Sequence, residues 1–325
     1  MKNHASPYLT VEHALERLKK REMLILIDDE DRENEGDLLF PAENIEAHHI
    51  AFMAKKASGL ICVALSSERV DALKLPQMVP QNEAPQQTAF TVSVEARDGV
   101  SSGISAQDRA HTIQSLLDPK AHASDFISPG HIFPLRARPY GVFARRGHTE
   151  ASVDLVSLAG FRPGAVICEI IGDSGEPLRG TALEAFAHTH GLGILSIQSL
   201  TRYRAQNVPC LLLKKDSLEN HLQVRTFHNP VQPCDYTLYS HPAPLSTEPP
   251  QVGFQETLDT RLLKTPNTHL ILRSQESDSW DAGAIAQILL HTLHISSPVH
   301  LLTPLPKALQ ELSYFASFFP PSPRR

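Results

Sequence analysis

The stretch MLILIDDEDRENEGD, residues 23–37, places a dense acidic segment directly after a short apolar run. Residues 23–27 are rich in Ile and Leu and stop abruptly, which predicts a buried strand. Seven of the ten residues from Asp28 to Asp37 are acidic, and Arg32 is the one basic residue among them. Because crowded carboxylates are costly unless a cation shares the site or their pKa values shift, this segment indicates a divalent metal site or an acid–base site. The alternative is a solvated acidic turn, which is the usual structure of a charge run.

The composition is that of an ordinary globular protein. The chain has 325 residues, of which 41% are hydrophobic and 20% are charged, and its net charge is −6. This balance favours neither a nucleic-acid partner nor a membrane surface, and we expect neither. The four cysteines are far apart in sequence and fit no disulfide framework or paired zinc motif, so we expect a reducing, cytoplasmic location and no zinc. They are Cys62, Cys168, Cys210 and Cys234.

The use of glycine and proline changes near residue 200. Residues 1–200 hold 14 of the 16 glycines, whereas residues 201–325 hold 14 of the 25 prolines. Glycines in loops permit close approach of the backbone to a ligand, so we place the functional site in the first part of the chain. The predicted domains are residues 1–205 and residues 206–325.

The first domain mixes predicted strands with predicted helices. Two predicted strands, 60–65 and 165–171, are apolar throughout, which indicates a sheet covered on both faces. The predicted fold class is therefore α+β, an α/β sandwich with a mixed sheet covered by helices, followed by a second, smaller α/β domain. The other predicted strands are 23–27, 90–95, 141–145 and 194–198, and the predicted helices lie near 44–57, 106–117, 149–159 and 180–190.

A second candidate segment is RRGHTEA, residues 145–151. It follows a predicted strand and opens a helix that Thr149 or a neighbour would cap. A helix N-terminus beside an arginine is an anion site suited to phosphate, and His148 could ligate a metal. The alternative is an ordinary capped helix with a surface histidine. The candidate binding residues of this segment are Arg145, Arg146, Gly147, His148 and Thr149.

Three further positions carry candidate chemistry. His131 lies between the turn residues Pro129-Gly130 and an apolar run, so it is a candidate acid or base, or else a turn histidine. Glu169 lies inside the predicted strand 165–171, whose other residues are apolar, and a glutamate is disfavoured there unless it is paired or functional. In the segment 101–109, Ser105 and Asp108 form a capping-box pattern, and the nearby hydroxyls could hold a second anionic group.

In this order the segments resemble 3,4-dihydroxy-2-butanone 4-phosphate synthase, the enzyme of the riboflavin pathway that acts on ribulose 5-phosphate. The matching stretches are DDEDRENEGD at 28–37, SGISAQDR at 102–109, PGHIFPLRAR at 129–138, GHTEA at 147–151 and VICE at 166–169. The resemblance implies a homodimer of α/β sandwiches that uses Mg²⁺, with Mn²⁺ as an alternative. It also implies that the ketone is enolised and that C4 leaves as formate.

The resemblance also implies roles for individual residues. Glu33 and His148 would hold the metal, and His131 and Glu169 would be essential for turnover. The residues implied to contact the sugar phosphate are Arg32, Glu33, Asp37, Glu169 and the segment Arg145, Arg146, Gly147, His148 and Thr149.

Residues after 205 resemble GTP cyclohydrolase II, for example at GFQETL, residues 253–258. That enzyme holds zinc on three cysteine thiolates, whereas Cys210 and Cys234 are the only cysteines of this segment. The resemblance therefore implies a folded but inactive second domain. Two alternatives stay open: a bifunctional enzyme that is also a cyclohydrolase, and a sugar-phosphate-binding regulator without turnover.

Overall fold

The computed structural model of the chain describes residues 6–30 and 32–207, and after them six strands. The chain divides into two compact units, Met1–Thr201 and Arg202–Arg325. The identity assigned to the second predicted domain, and the division between the domains at residue 205, stay predictions. Among the helices that can be described, none combines the length and the apolar character that crossing a membrane requires.

Up to residue 207, the described residues form seven α-helices and seven strands. The helices are α1 (Val11–Lys19), α2 (Ala47–Phe52), α3 (Ser67–Ala72), α4 (Ala106–Leu117), α5 (His148–Leu158), α6 (Gly180–His190) and α7 (Ile197–Asn207). The strands are β1 (Leu24–Ile27), β2 (Gly36–Pro41), β3 (Cys62–Leu65), β4 (Val94–Ala96), β5 (Phe126–Arg136), β6 (Gly164–Glu169) and β7 (Gly193–Ser196). Short 3₁₀ turns lie at Ala42–Asn44, Ala123–Asp125 and Gly141–Phe143, and a π-helical turn at Met53–Ala57 follows α2.

The seven strands form one mixed sheet in the order β4-β5-β3-β6-β2-β1-β7. The pairs β1–β7 and β3–β5 are parallel, and the other four neighbouring pairs are antiparallel. Helix α5 packs against β1, β2, β3 and β6. The predicted α+β fold with a mixed, helix-covered sheet is confirmed for this unit.

Both faces of the sheet are buried. In β2, Leu38 and Phe40 join the main hydrophobic core together with Ile50 of α2 and Ile113 of α4, while Leu39 between them is also fully buried on the other face. Side chains alternate between the faces of a strand, so burial at every position means that both faces are covered. The same alternation puts Asp37 on the face of Leu39.

The acidic segment lies in the connection between two antiparallel strands, because β2 follows it directly. The sequence pattern did not predict β2, which begins Gly-Asp and ends in Pro41. The predicted strand 141–145 is wrong: residues 141–143 form a 3₁₀ turn, since Tyr140 and Gly141 have φ values of 72° and 64°, which no strand accommodates. The helix after it begins at His148, and its N-cap is Gly147 rather than Thr149.

In the second unit the six described strands form one sheet in the order β13-β11-β12-β10-β9-β8. They are β8 (Leu212–Glu219), β9 (Leu222–Asn229), β10 (Cys234–Ser240), β11 (Gln251–Gln255), β12 (Thr268–Arg273) and β13 (His300–Leu301). Strands β8, β9, β10 and β12 are joined by antiparallel pairings, and β11 pairs in parallel with β12 and β13. The resemblance to GTP cyclohydrolase II depends in part on Cys210 and on residues 256–258. These positions lie outside the described residues.

Candidate active site

Asp28 organises the acidic connection between β1 and β2. Its buried carboxylate accepts hydrogen bonds from the backbone N–H groups of Glu33 (3.1 Å) and Glu35 (2.9 Å). It also accepts from Nη1 of Arg32 at 2.7 Å, and the same nitrogen lies 2.5 Å from Oε2 of Glu33. Because a buried carboxylate anchors the backbone of this connection, the segment is a built site rather than a solvated turn.

His148 faces two of the acidic side chains from the start of α5. Its side chain is only 7% exposed, with Nδ1 3.7 Å from Oε2 of Glu33 and Nε2 3.9 Å from Oδ1 of Asp37. These distances are too long for direct hydrogen bonds, and Nε2 is buried without a hydrogen-bond partner among the described residues. Such a buried, unsatisfied ring nitrogen beside carboxylates is typical of a metal ligand.

Asp28, Glu33 and His148 could share one cation. One ligand atom from each of them lies within 4.8 Å of the others. Two carboxylates and one imidazole suit a divalent cation that prefers oxygen ligands, such as Mg²⁺ or Mn²⁺. Asp28 already accepts three hydrogen bonds, so Glu33 and His148 have the most free ligand capacity of the three.

Asp37 and Glu169 lie opposite each other on β2 and β6, because the register of the antiparallel pair joins these two positions. Directly opposed residues project from the same face of a sheet, so both carboxylates point to the side that α5 covers. Oε2 of Glu169 accepts a hydrogen bond of 2.8 Å from the backbone N–H of Leu60. The preceding residue is Gly59, where a Cβ atom would come within 2.7 Å of that same oxygen, so only glycine leaves room for this contact.

The buried charges shift one another's pKa values. The imidazole of His148 is the largest influence on Glu33; with Arg32 it outweighs the opposing effect of burial and lowers the pKa of Glu33 to about 2. Burial raises the pKa of Asp37 to about 7. Burial alone would lower the pKa of His148, but the carboxylates of Asp37, Glu33 and Asp28 outweigh it and raise that pKa to about 9. The site thus combines an ionised carboxylate, Glu33, with an acid that titrates near neutral pH, Asp37.

These groups line one cavity of about 220 Å³. It brings together seven of the residues singled out in the sequence: Arg32, Glu33, Asp37, Arg145, His148, Thr149 and Glu169. Its remaining lining includes apolar side chains such as Phe90 and Ile167, and the buried thiol of Cys62. Besides the cation site, the lining has three further carboxylates, Glu35, Asp37 and Glu169, and two arginines, which fits a small, polar, anionic molecule.

Arg145 is held by the protein. Its guanidinium contacts Oε2 of Glu150 at 2.7 Å, Oγ1 of Thr88 at 2.8 Å and the carbonyl oxygen of Gln86 at 2.9 and 3.0 Å. Arg145 therefore fixes the loop that carries Thr88 to the cavity, and its predicted contact with substrate stays a prediction.

Three of the predicted site residues do not line this cavity. Nη1 of Arg146 lies 3.6 Å from Oδ2 of Asp29, and Gly147 is the buried N-cap of α5. His131 lies on β5, where its Nδ1 contacts Oε1 of Glu95 and its side chain is 43% exposed. Two residues of these groups, Asp28 and Glu95, are not among the site residues predicted from the sequence. Asp28 carried a signal, because it follows a buried strand directly, whereas Glu95 had none.

Comparisons with known proteins identify this unit. The family profile of 3,4-dihydroxy-2-butanone 4-phosphate synthase matches residues 12–203. The synthase of Pseudomonas aeruginosa is 50% identical over 195 residues, which are 60% of this chain and 53% of that protein. The match thus spans about half the length of this relative.

Two solved structures are similar as well. One is a two-domain 3,4-dihydroxy-2-butanone 4-phosphate synthase from A. baumannii, with 34% identity and a TM-score of 0.75 over 92% of this chain and 95% of that one. The other is a synthase in complex with two magnesium ions, with 43% identity and a TM-score of 0.59 over 62% of this chain and 98% of that one. This chain belongs to the 3,4-dihydroxy-2-butanone 4-phosphate synthase family, the lyases of riboflavin biosynthesis.

Proposed function

We propose that this chain converts D-ribulose 5-phosphate to 3,4-dihydroxy-2-butanone 4-phosphate and formate. The observation that carries the proposal is the convergence of Glu33, Asp37, His148 and Glu169 on one cavity. A binding protein for a sugar phosphate would need cationic groups, but it would not need the further carboxylates that line the cavity beyond the cation site. Stepwise rearrangement of a ketose needs several proton transfers at neighbouring carbons, and these carboxylates can perform them.

Glu33 and His148 would hold Mg²⁺, and Mn²⁺ would fit the same ligands. The support is the unsatisfied Nε2 of His148 and the 4.8 Å grouping of ligand atoms that includes Asp28. Bound there, a divalent cation would polarise the C2 ketone of the substrate and make the C3 proton more acidic. Asp28 and Arg32 hold Glu33 in place through the contacts of the acidic connection.

Asp37 and Glu169 would share the proton transfers. Removal of the C3 proton gives an enediol, after which the C1 hydroxyl leaves, the carbon skeleton shifts and C4 departs as formate. A carboxyl group that titrates near neutral pH can both accept and donate a proton, and Asp37 has this property. The backbone N–H of Leu60 orients Glu169 by donating a hydrogen bond to its Oε2, which leaves Oε1 for the substrate.

The N-terminus of α5 and the arginines would bind the phosphate. The first amides of a helix lack partners within the helix, and they favour anions. Thr149 is the second residue of α5 and lines the cavity, as does Arg32. Arg146 and Gly147 directly precede α5 and would border this phosphate subsite, although they do not line the cavity.

We also propose that the chain forms a homodimer in which His131 of one copy complements the cavity of the other. His131 is an expected catalytic residue, yet it does not line the cavity of its own chain. It is exposed, as are Ile127 on the same strand and Ile104, which follows the glycine that lies against the His131 ring. Mixing a His131→Ala variant with a Glu169→Gln variant under subunit exchange tests this proposal: recovered formate release supports it, and no recovery in a proven mixed dimer contradicts it.

One assay separates the candidate functions. The full chain is incubated with ribulose 5-phosphate and Mg²⁺, and formate is measured with and without a chelator. Chelator-sensitive formate release supports the synthase. Binding of ribulose 5-phosphate without formate would favour a regulator instead. Formate release from GTP by protein that carries stoichiometric zinc would overturn the proposed inactivity of the second domain.

A further inference from the structure

We propose that Glu95 is a positioning residue that fixes the tautomer of His131. This inference rests on the proposed function, because it takes His131 as a group that exchanges a proton with the substrate. Glu95 lies on β4, outside every segment that carries the resemblance to the family.

The backbone of the β4–β5 pair is built to bring these two side chains together. Val94 pairs with Ile132, yet the next residue, Glu95, pairs with Ile127, so the register shifts between them. The four residues from Ser128 to His131 therefore form a bulge on β5. Bulges of this kind redirect a side chain, and here the bulge places His131 against Glu95.

The pair is asymmetric in its burial. The side chain of Glu95 is 12% exposed, whereas that of His131 is 43% exposed. A largely buried carboxylate needs a hydrogen-bond donor, and Nδ1 of His131 is in contact with its Oε1. Because a carboxylate only accepts hydrogen bonds, Nδ1 must carry the proton of the neutral ring. Nε2 then holds the lone pair, which is the form that a general base requires.

A neighbouring loop closes over the pair. Gly103 has a φ of +81°, and a Cβ atom there would overlap the carboxylate of Glu95 and lie 2.7 Å from Nδ1 of His131. Asp108 holds this loop by accepting hydrogen bonds from the backbone N–H of Gly103 (3.0 Å) and from Oγ of Ser101 (2.9 Å). The loop is therefore held in place against both side chains of the pair.

The arrangement predicts a specific kinetic effect. Glu95 would keep Nε2 unprotonated before the reaction and would stabilise the imidazolium after Nε2 takes a proton. Loss of such a supporting carboxylate costs about 10- to 100-fold in activity. The loss should fall on kcat and leave KM nearly unchanged, because Glu95 does not line the substrate cavity.

The first test is kinetic and uses the full chain. Glu95→Gln should lower kcat for formate release by about 10- to 100-fold, and Glu95→Asp should recover part of this loss. Asp71→Asn is the matched control, because Asp71 contacts Arg136 on the same strand as His131, at 2.6 and 2.9 Å, and should leave kcat unchanged. In a His131→Ala background, Glu95→Gln should have no further effect. An equal loss in both backgrounds, or an unchanged kcat in Glu95→Gln, would overturn the inference.

The second test does not depend on activity. Imidazole ¹⁵N chemical shifts of His131 should show a protonated Nδ1 and an unprotonated Nε2 in the wild type, and a mixture of both tautomers in Glu95→Gln. If the wild type shows the fixed tautomer but releases no formate, the positioning contact stands and the proposed function fails. If the tautomer is the same in both proteins, the inference fails whatever the activity.

Discussion

Two imidazole–carboxylate groups of the first unit, one at His148 and one at His131, differ in the spacing between the ring nitrogens and the carboxylate oxygens. His148 is buried and stands 3.7 and 3.9 Å from the carboxylate oxygens of Glu33 and Asp37, so a gap remains between them. His131 is exposed, and its Nδ1 is in direct contact with Oε1 of Glu95. A gap lined by several carboxylates leaves room for a cation, whereas direct contact fixes a tautomer. On our proposals, the same two side-chain types would bind a cation around His148 and would orient a proton-transfer group at His131.

The largest expected effect separates the two histidines. His148→Asn should lower formate release by about 10³-fold and abolish Mn²⁺ binding measured by electron paramagnetic resonance, since the ring nitrogen ligand is lost. His131→Asn should lower activity but leave the affinity for Mn²⁺ unchanged. The exposed residue His13 of α1 provides the control, because His13→Asn should change neither quantity. Wild-type Mn²⁺ affinity in His148→Asn would remove the distinction between the two regions.

A smaller loss is expected from Glu169→Gln, about 10²-fold in kcat, because an amide cannot take up the substrate proton. Its side-chain oxygen can still accept the hydrogen bond from Leu60, so the local backbone should persist. Binding of ribulose 5-phosphate, measured by calorimetry, should stay close to that of the wild type. Glu176→Gln, in an exposed turn after β6, is the control. Full formate release by Glu169→Gln would exclude its proposed role.

The sequence indicated the acidic side chains around His148, here called the cation region, better than it indicated the pair of His131 and Glu95. The reason is physical. The apolar run of β1 stops directly before Asp28, so the local pattern alone placed the acidic segment at the end of a buried strand. Glu169 likewise stood out as a charge in an apolar strand, and the predicted helix 149–159 differs from α5 by one residue at each end. These signals lie within single segments, where periodicity and burial can be read directly.

The contact of Glu95 with His131 had no such signal. It depends on a register shift between β4 and β5 and on a loop 101–105 that closes over both side chains, and no local pattern encodes either feature. The resemblance to the family named His131 as essential but gave it no partner. Strand β2 was missed because its Gly-Asp start and Pro41 end are typical of a turn. Its pairing with β6 is what brings Asp37 opposite Glu169.

The anchoring of the acidic connection can be tested by its stability. Asp28→Asn removes the negative charge that Arg32 contacts. It also weakens the hydrogen bonds that this side chain accepts from the backbone N–H groups of Glu33 and Glu35. We expect a loss on the order of 2 kcal/mol in the free energy of local opening, measured by hydrogen exchange at the amides of Glu33 and Glu35. Asp173→Asn, at an exposed position, should leave these amides protected as in the wild type. Unchanged protection in Asp28→Asn would mean that the carboxylate does not hold this segment.

The smallest predicted effect is a pH dependence of stability, which follows from the shifted pKa values of His148, Asp37 and Glu33. The folded-state pKa of His148 is raised to about 9 from 6.5, so its contribution to stability is complete below pH 6.5 and is lost as the pH rises toward 9. Asp37 acts in the same direction at lower pH, because its raised pKa destabilises the folded state as the pH rises from 3.8 to 7. Glu33, with a pKa lowered to about 2, loses its contribution only as the pH falls below 4.5.

In metal-free protein, the free energy of opening of α5 should therefore fall by on the order of 1 kcal/mol between pH 6.5 and pH 9. Hydrogen exchange of the α5 amides, corrected for the intrinsic exchange rates, measures this change. The decline should disappear in His148→Asn and persist in His131→Asn, because His131 is not among the groups that raise the pKa of His148. A decline of equal size in both variants would show that a titratable group other than His148 makes the opening of α5 depend on pH. Mn²⁺ should bind more tightly at pH 9 than at pH 6.5, because binding must displace the proton that the surrounding carboxylates hold on His148.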